Sequence, residues 1–260
     1  MTKALFFDID GTLVSFKTHR VPDSTIEAIG RAKTAGCLIF ISTGRPVQLI
    51  DNIGAVEHLI DGYVTTNGAH CFSGDTLLFE RTIPREDVEK MWEFSQKLGF
   101  SALFVGRNDI YVANKDEKMA AVIENLLNLP KMQDCHDISG LSGDDIYQIS
   151  PVVNPQEEAM IMPSLPGCSS CRWSPAFMDV IPKGVDKAKG IAAVAGHFGF
   201  GIDECMAFGD GGNDIAMLKA VGTGIAMGNS SDEVKAAADY VTTSVDDDGI
   251  YNGLRHFGII

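Results

Sequence analysis

Short, unbroken apolar runs recur along the chain at 4–7, 37–41, 63–66, 206–208, 224–227 and 240–242, each followed by a turn rich in Gly or Asp. Hydrophobicity that is continuous rather than alternating marks strands buried on both faces, as in a parallel sheet. Amphipathic stretches lie between the runs. The first, 23–35, starts after Pro22 and stops at Gly36, with Ile26, Ile29 and Ala32 on one face. The stretches 186–198, 214–220 and 232–238 have the same form. Strands alternating with helices at this spacing predict a doubly wound α/β fold.

The middle of the chain reads differently. Helix is expected at 85–98, strands at 102–105 and 111–113, helix at 115–127, a strand at 147–153, a short helix after Pro155, and two strands around Arg172 and Met178. Strands next to strands predict an antiparallel sheet with helices on one face. Prolines punctuate the edges of this segment at Pro84, Pro175 and Pro182. The architecture expected is an α/β parallel-sheet core, residues 1–82 and 183–260, interrupted by an inserted α+β cap domain, residues 83–182.

Composition narrows the function classes. At 260 residues, the chain exceeds the roughly 150 of a typical domain. Its formal charge of −14, with no offsetting Lys/Arg cluster, excludes a nucleic-acid partner. No apolar run reaches the roughly 18–20 residues of a membrane span, and the N-terminus does not read as a secretory signal, so a cytoplasmic protein with no membrane partner is expected. Cys37, Cys71, Cys135 and Cys205 are scattered. Cys168 and Cys171 form a lone C-x-x-C pair that reads as structural, and no two histidines have ligand spacing.

In an open parallel sheet, ligands bind where the strands end. The first run is followed by Asp8-Ile9-Asp10-Gly11-Thr12, the second by Ser42-Thr43-Gly44-Arg45-Pro46, and that at 206–208 by Gly209-Asp210-Gly211-Gly212-Asn213-Asp214. Four carboxylates at one edge repel unless a cation or a raised pKa relieves them. An all-oxygen set suits Mg2+, adjacent glycines let amides approach a phosphate, and Pro46 suits the first position of a helix whose N-terminus would face the same place. These parts together indicate magnesium-assisted phosphoryl transfer.

The motifs just quoted, with Thr66-Asn67-Gly68-Ala69 and Pro182-Lys183-Gly184-Val185-Asp186-Lys187, resemble the haloacid dehalogenase-like (HAD) phosphohydrolases, and among them the Cof-type sugar phosphatases with a type-IIB cap. The resemblance spans essentially the whole chain. It implies a Rossmann-like core and a phosphatase acting on small phosphate monoesters, with sugar phosphates as the expected substrates. Asp8 would be the nucleophile and Asp10 the acid/base. Thr43 would bind the phosphoryl group, and a lysine would neutralise charge, Lys187 by the register of its motif, with Lys189 as the alternative. Asp8, Asp10 (through its carbonyl), Asp210 and Asp214 would hold Mg2+, with Asn213 and Gly44 on the phosphate. Asn67 reads either as a substrate contact or as part of a type I′ turn, and Arg45 either as an anion ligand or as the partner of a core carboxylate. In the cap, Arg172, Trp173 and Asp179 are candidates for holding a sugar. A phosphomutase and a non-catalytic sugar-phosphate sensor are the alternative readings.

Overall fold

The computed structural model describes residues 2–117, 119, 133–135, 137–141, 145–172 and 175–260. They form two compact units, one of residues 1–45, 50–80 and 186–260, the other of residues 46–49 and 81–185.

The first unit begins with β1 (Ala4–Phe7), α1 (Asp23–Thr34), β2 (Leu38–Ser42), β3 (Gly62–Thr65), β4 (His70–Ser73) and β5 (Thr76–Glu80). The second unit carries α2 (Arg85–Leu98), β6 (Ala102–Gly106), β7 (Ile110–Ala113), β8 (Gln133–Asp134), β9 (Ile146–Pro151), α3 (Pro155–Ile161), β10 (Cys168–Cys171) and β11 (Asp179–Pro182). The chain then returns to the first unit with α4 (Lys187–Phe198), β12 (Cys205–Gly209), α5 (Ile215–Ala220), β13 (Thr223–Ala226), α6 (Asp232–Ala237), β14 (Tyr240–Val241) and α7 (Gly249–His256).

The sheet of the first unit runs β14-β13-β12-β1-β2-β3-β4-β5, parallel from β14 to β3 and antiparallel from β3 to β5. Successive residues of β1 enter opposite cores. Leu5 and Phe7 pack with Ile29 of α1 and with Ile250 and Leu254 of α7. Ala4 and Phe6 pack with Ile191 and Val194 of α4 and with Met217 and Leu218 of α5. Burial on both faces is why the run has no polar alternation. Phe7 stacks on Phe208 and Phe6 on Phe40, at ring separations of 5.1 and 4.8 Å, locking β12, β1 and β2 side by side. The carboxyl ends of these three strands therefore lie together.

In the second unit the sheet order is β10-β11-β9-β6-β7-β8, with β8 joined in parallel and the other pairs antiparallel. Met91 and Trp92 of α2 and Ile161 of α3 cover one face, against Phe104, Ile149 and Val180. The helix expected at 115–127 lies largely outside the described residues, as does Trp173. One expectation is corrected. The segment after Pro46 forms a single 3-10 turn, Val47–Leu49, rather than a helix. Gln48 is drawn instead to the Gly106 and Arg107 carbonyls, each 3.1 Å from its Nε2, and Leu49 packs with Leu103 and Val112. Among the described residues no helix is long and apolar enough to cross a membrane.

Candidate active site

Asp8 extends β1 by one residue, its amide donating to the Phe208 carbonyl at 3.0 Å. Its side chain thereby emerges where β1 and β12 end. Lys187 reaches the same point from the first turn of α4. Asp186 starts that helix as N-cap, its carboxylate accepting the Lys189 amide at 2.8 Å. The Lys187 ammonium, completely buried, donates to Asp8 Oδ1 and to Asp214 Oδ1, both at 2.6 Å. Lys189 is exposed two residues on.

Asp214 is likewise buried, and both of its oxygens are engaged. Oδ1 accepts from Lys187, and Oδ2 accepts the Asp210 and Gly211 amides, each at 2.9 Å. Gly209 makes this possible, because a Cβ there would stand 2.5 Å from the Asp214 carboxyl carbon. Asp214 thus folds the β12 loop and aims Lys187. Asp210 Oδ1 accepts from Thr12 Oγ1 at 3.0 Å, and its Oδ2 from Asn229 Nδ2 at 3.2 Å.

Asp8, Asp210 and Asp214 each offer an oxygen within 4.8 Å of the others. Three carboxylates against one ammonium leave a net negative cluster. Burial pushes Asp8 well above the usual 3.8, Lys187 pulls it back, and Asp214, Asp210 and Asp10 push it further up. Burial and then Asp214 raise Asp210 to about 7, against the pull of Thr12 and Lys187. For Lys187, burial works against the cation, yet Asp214 and Asp8 outweigh it and raise its pKa. A hard-oxygen donor set with unrelieved negative charge fits a divalent cation. The Asp10 carboxylate is not in this group. It forms a two-pronged ion pair with Arg45, whose Nε and Nη2 each lie 2.7 Å from one of its oxygens. Arg45 thus takes an internal partner.

Thr43 Oγ1 accepts the Arg45 amide at 3.1 Å, and the Thr43 carbonyl accepts the Asn67 amide at the same distance. Asn213 Nδ2 donates to Asn67 Oδ1 at 3.0 Å, while Asn67 Nδ2 is buried with no partner. Gly44 lies against both amides, since a Cβ on it would approach the two side chains to 3.1–3.3 Å. The connection from β3 to β4 is not a type I′ turn. Thr66, Asn67 and Gly68 adopt φ of 49°, 53° and 93°, and Thr65 pairs with His70 across a longer loop. Gly68 sits so close to the start of α4 that a Cβ would meet the Asp186 carbonyl at 2.1 Å.

The sequence model of the haloacid dehalogenase-like hydrolases matches residues 5–254. The chain belongs to this family. The hydrolase is 46% identical, over 100% of both chains and at a TM-score of 0.94, to the solved structure of the HAD subclass IIB sugar phosphatase BT4131. It is 36% identical to the phosphatase BT1666 from Bacteroides thetaiotaomicron, with a TM-score of 0.91 over 100% of this chain and 96% of the other. Among curated relatives, the 5-amino-6-(5-phospho-D-ribitylamino)uracil phosphatase YcsE of Bacillus subtilis is 30% identical over 259 residues, 98% of this chain and 95% of that one. The hydrolase is a HAD phosphatase, a phosphoric monoester hydrolase acting on small-molecule phosphates.

Arg172 and Asp179, singled out in the second unit, are engaged within it. Arg172 lies just past β10 rather than inside a strand. Its guanidinium donates to Glu158 Oε2 at 2.7 Å and to the carbonyls of Val153, Phe177 and Pro175 at 2.9, 3.1 and 3.4 Å. The planar fork of Arg172 thus ties together the elements of the second unit around it. Asp179 accepts from Ser150 Oγ at 2.7 Å, and Gln148 Nε2 donates to Ser150 at 3.2 Å. This polar line across β9 and β11 escaped the sequence reading, because Gln148 and Ser150 sit inside an otherwise apolar run. Cys168 and Cys171 stand three apart on β10, on opposite faces. Cys168 is buried, and burial, reinforced by Asp87, pushes its thiol to about 12, the state of a packing residue.

Proposed function

We propose that the hydrolase cleaves sugar phosphates and related small monoesters with Mg2+, through a phosphoryl group carried on Asp8. The observation that carries this reading is the buried Lys187 ammonium on Asp8 Oδ1, which leaves the other carboxylate oxygen to attack. Mg2+, when bound, would offset the negative charge that Lys187 leaves on the cluster, and the carboxylates of Asp8 and Asp210 with the Asp10 carbonyl would hold it. Asp214, with both oxygens engaged, acts by holding Lys187 and the 210–211 amides.

In the first displacement, Asp8 Oδ2 forms a bond to phosphorus while the ester P–O bond breaks. Asp10, protonated, hands its proton to the leaving alkoxide. In the second, a water gives a proton to Asp10 and its oxygen bonds to phosphorus. The acyl-phosphate P–O bond then breaks, freeing Asp8 and inorganic phosphate. Arg45, bonded to both oxygens of Asp10, orients that carboxyl group. Thr43, Gly44, Asn213 and Asn67 serve the phosphoryl oxygens, the orphaned Asn67 amide supplying a donor. The sugar class rests on the 46% identity to a sugar phosphatase. Six free cysteines suit the reducing cytoplasm, where we place the protein.

The test is phosphate release over a panel of sugar phosphates, nucleotides and pyridoxal phosphate, with magnesium and with chelator. Release from sugar phosphates that needs magnesium and disappears in Asp8→Asn supports the reading. Release that survives chelation, or survives in Asp8→Asn, sinks it.

A further inference from the structure

Phe16 is the most exposed large apolar side chain among the described residues, at 61%. A single exposed apolar side chain is ordinary in itself, and what sets Phe16 apart is where its ring stands. Nothing in the turn that bears it is loose. Leu13, Val14 and Ser15 are buried beneath it. Ser15 Oγ accepts the Lys17 and Thr18 amides at 3.1 and 3.3 Å and donates to Asp246 Oδ1 at 2.6 Å. Lys17 Nζ is taken by the other oxygen of Asp246 at 2.7 Å. The turn is therefore pinned to the loop before α7, and the charge beside Phe16 is already paired.

The direction in which the ring is held is equally defined. Phe16 Cε2 and Asp210 Oδ2 converge on the point where a Cβ on Gly11 would stand, 2.6 and 2.2 Å from it. Gly11, at φ +80°, leaves that space empty. The ring edge thus flanks the carboxylate group formed by Asp8, Asp210 and Asp214. An ester whose phosphorus is at Asp8 must carry its carbon skeleton outward past this group. Ligand sites pair a few convergent polar groups with an apolar wall, and Phe16 offers an apolar surface beside these.

We propose that Phe16 is a specificity-determining residue, its pinned, exposed ring forming the wall on which the C–H face of the substrate's sugar rests beside Asp210. This rests on the sugar-phosphatase reading above. It adds that selection for a carbon ring over a small leaving group comes in part from the first unit itself.

The experiment compares glucose 6-phosphate with acetyl phosphate, whose leaving group is too small to span the ring. Both are measured in magnesium on the full-length protein and on Phe16→Ala and Phe16→Tyr. In Phe16→Ala, the ratio of kcat/KM for glucose 6-phosphate to that for acetyl phosphate should fall about tenfold, the loss residing in KM for the sugar phosphate. Phe16→Tyr, which keeps the ring, should restore the ratio. An unchanged ratio, or an equal loss on both substrates, overturns the role of Phe16 while leaving the phosphatase reading intact. No release from either substrate by the unaltered protein overturns both.

Discussion

Lys187 Nζ and Asp214 Oδ1 lie 2.6 Å apart, and neither side chain has any exposure to solvent. A buried pair of this kind is weak evidence of net stabilisation, but breaking it strands a charge. Asp214→Asn should therefore cost about 3–5 kcal/mol of stability in denaturant unfolding, and turnover should fall with it as Lys187 loses its aim. A loss under about 1 kcal/mol would contradict the burial of the pair.

The neighbouring lysines separate by position. Lys187→Met should abolish phosphate release, whereas Lys189→Met, on an exposed turn of α4, should stay within about twofold of the unaltered protein. Steady-state assays of the two purified variants check this, and a comparable loss in both would refute the assignment.

The role proposed for Asp10, proton transfer to the leaving group, makes its removal matter in proportion to how poor that group is. Asp10→Asn should lower kcat for a hexose phosphate by about 10²–10⁴ and for p-nitrophenyl phosphate far less. Equal losses on both would show that Asp10 does not move the proton.

Asp210 gives a pH signature in the metal-free state. Its folded pKa is about 7 against an ordinary 3.8, so between those values the folded chain keeps a proton that the unfolded chain has released. Stability from this group is present at the acid end and is lost as pH rises through about 7. In chelator, Tm should drop more steeply from about pH 5 to 8 for the unaltered protein than for Asp210→Asn, and magnesium should shrink the difference. Parallel thermal profiles with equal slopes would remove this account.

Arg172 binds four acceptors in a fixed fork, so Arg172→Lys should destabilise the protein by about 1–3 kcal/mol in denaturant unfolding, with little change in KM for sugar phosphates. A raised KM at unaltered stability would return Arg172 to the list of substrate contacts.

Much of this was legible in the sequence wherever local physics decides. β1, β2, β12 and β13 were visible because strands buried on both faces leave uninterrupted apolar runs, and the meeting of Asp8 with Asp210 because the loops that follow neighbouring parallel strands converge. Helix α7 was not, since Gly249 and Gly253 blur its pattern and its face is defined only by packing on α1 and β12. The Asp10–Arg45 clasp joins residues 35 apart by side-chain geometry, which no spacing reports. The partners of Arg172 were hidden for a related reason. An arginine near a strand end suits an anion as well as a ring of carbonyls, and only the fold shows which it meets.

Asp8 and the lysine that serves it are 179 residues apart, on opposite sides of the second unit. A ribosome makes them in that order, so the nucleophile waits, without its cation, through the synthesis of the whole insertion. Only when α4 and the Asp214 loop have emerged and docked onto β1 can the site form. A chain stalled or clipped before residue 187 carries Asp8 and Asp10 without the ammonium that Asp8 meets in the folded site.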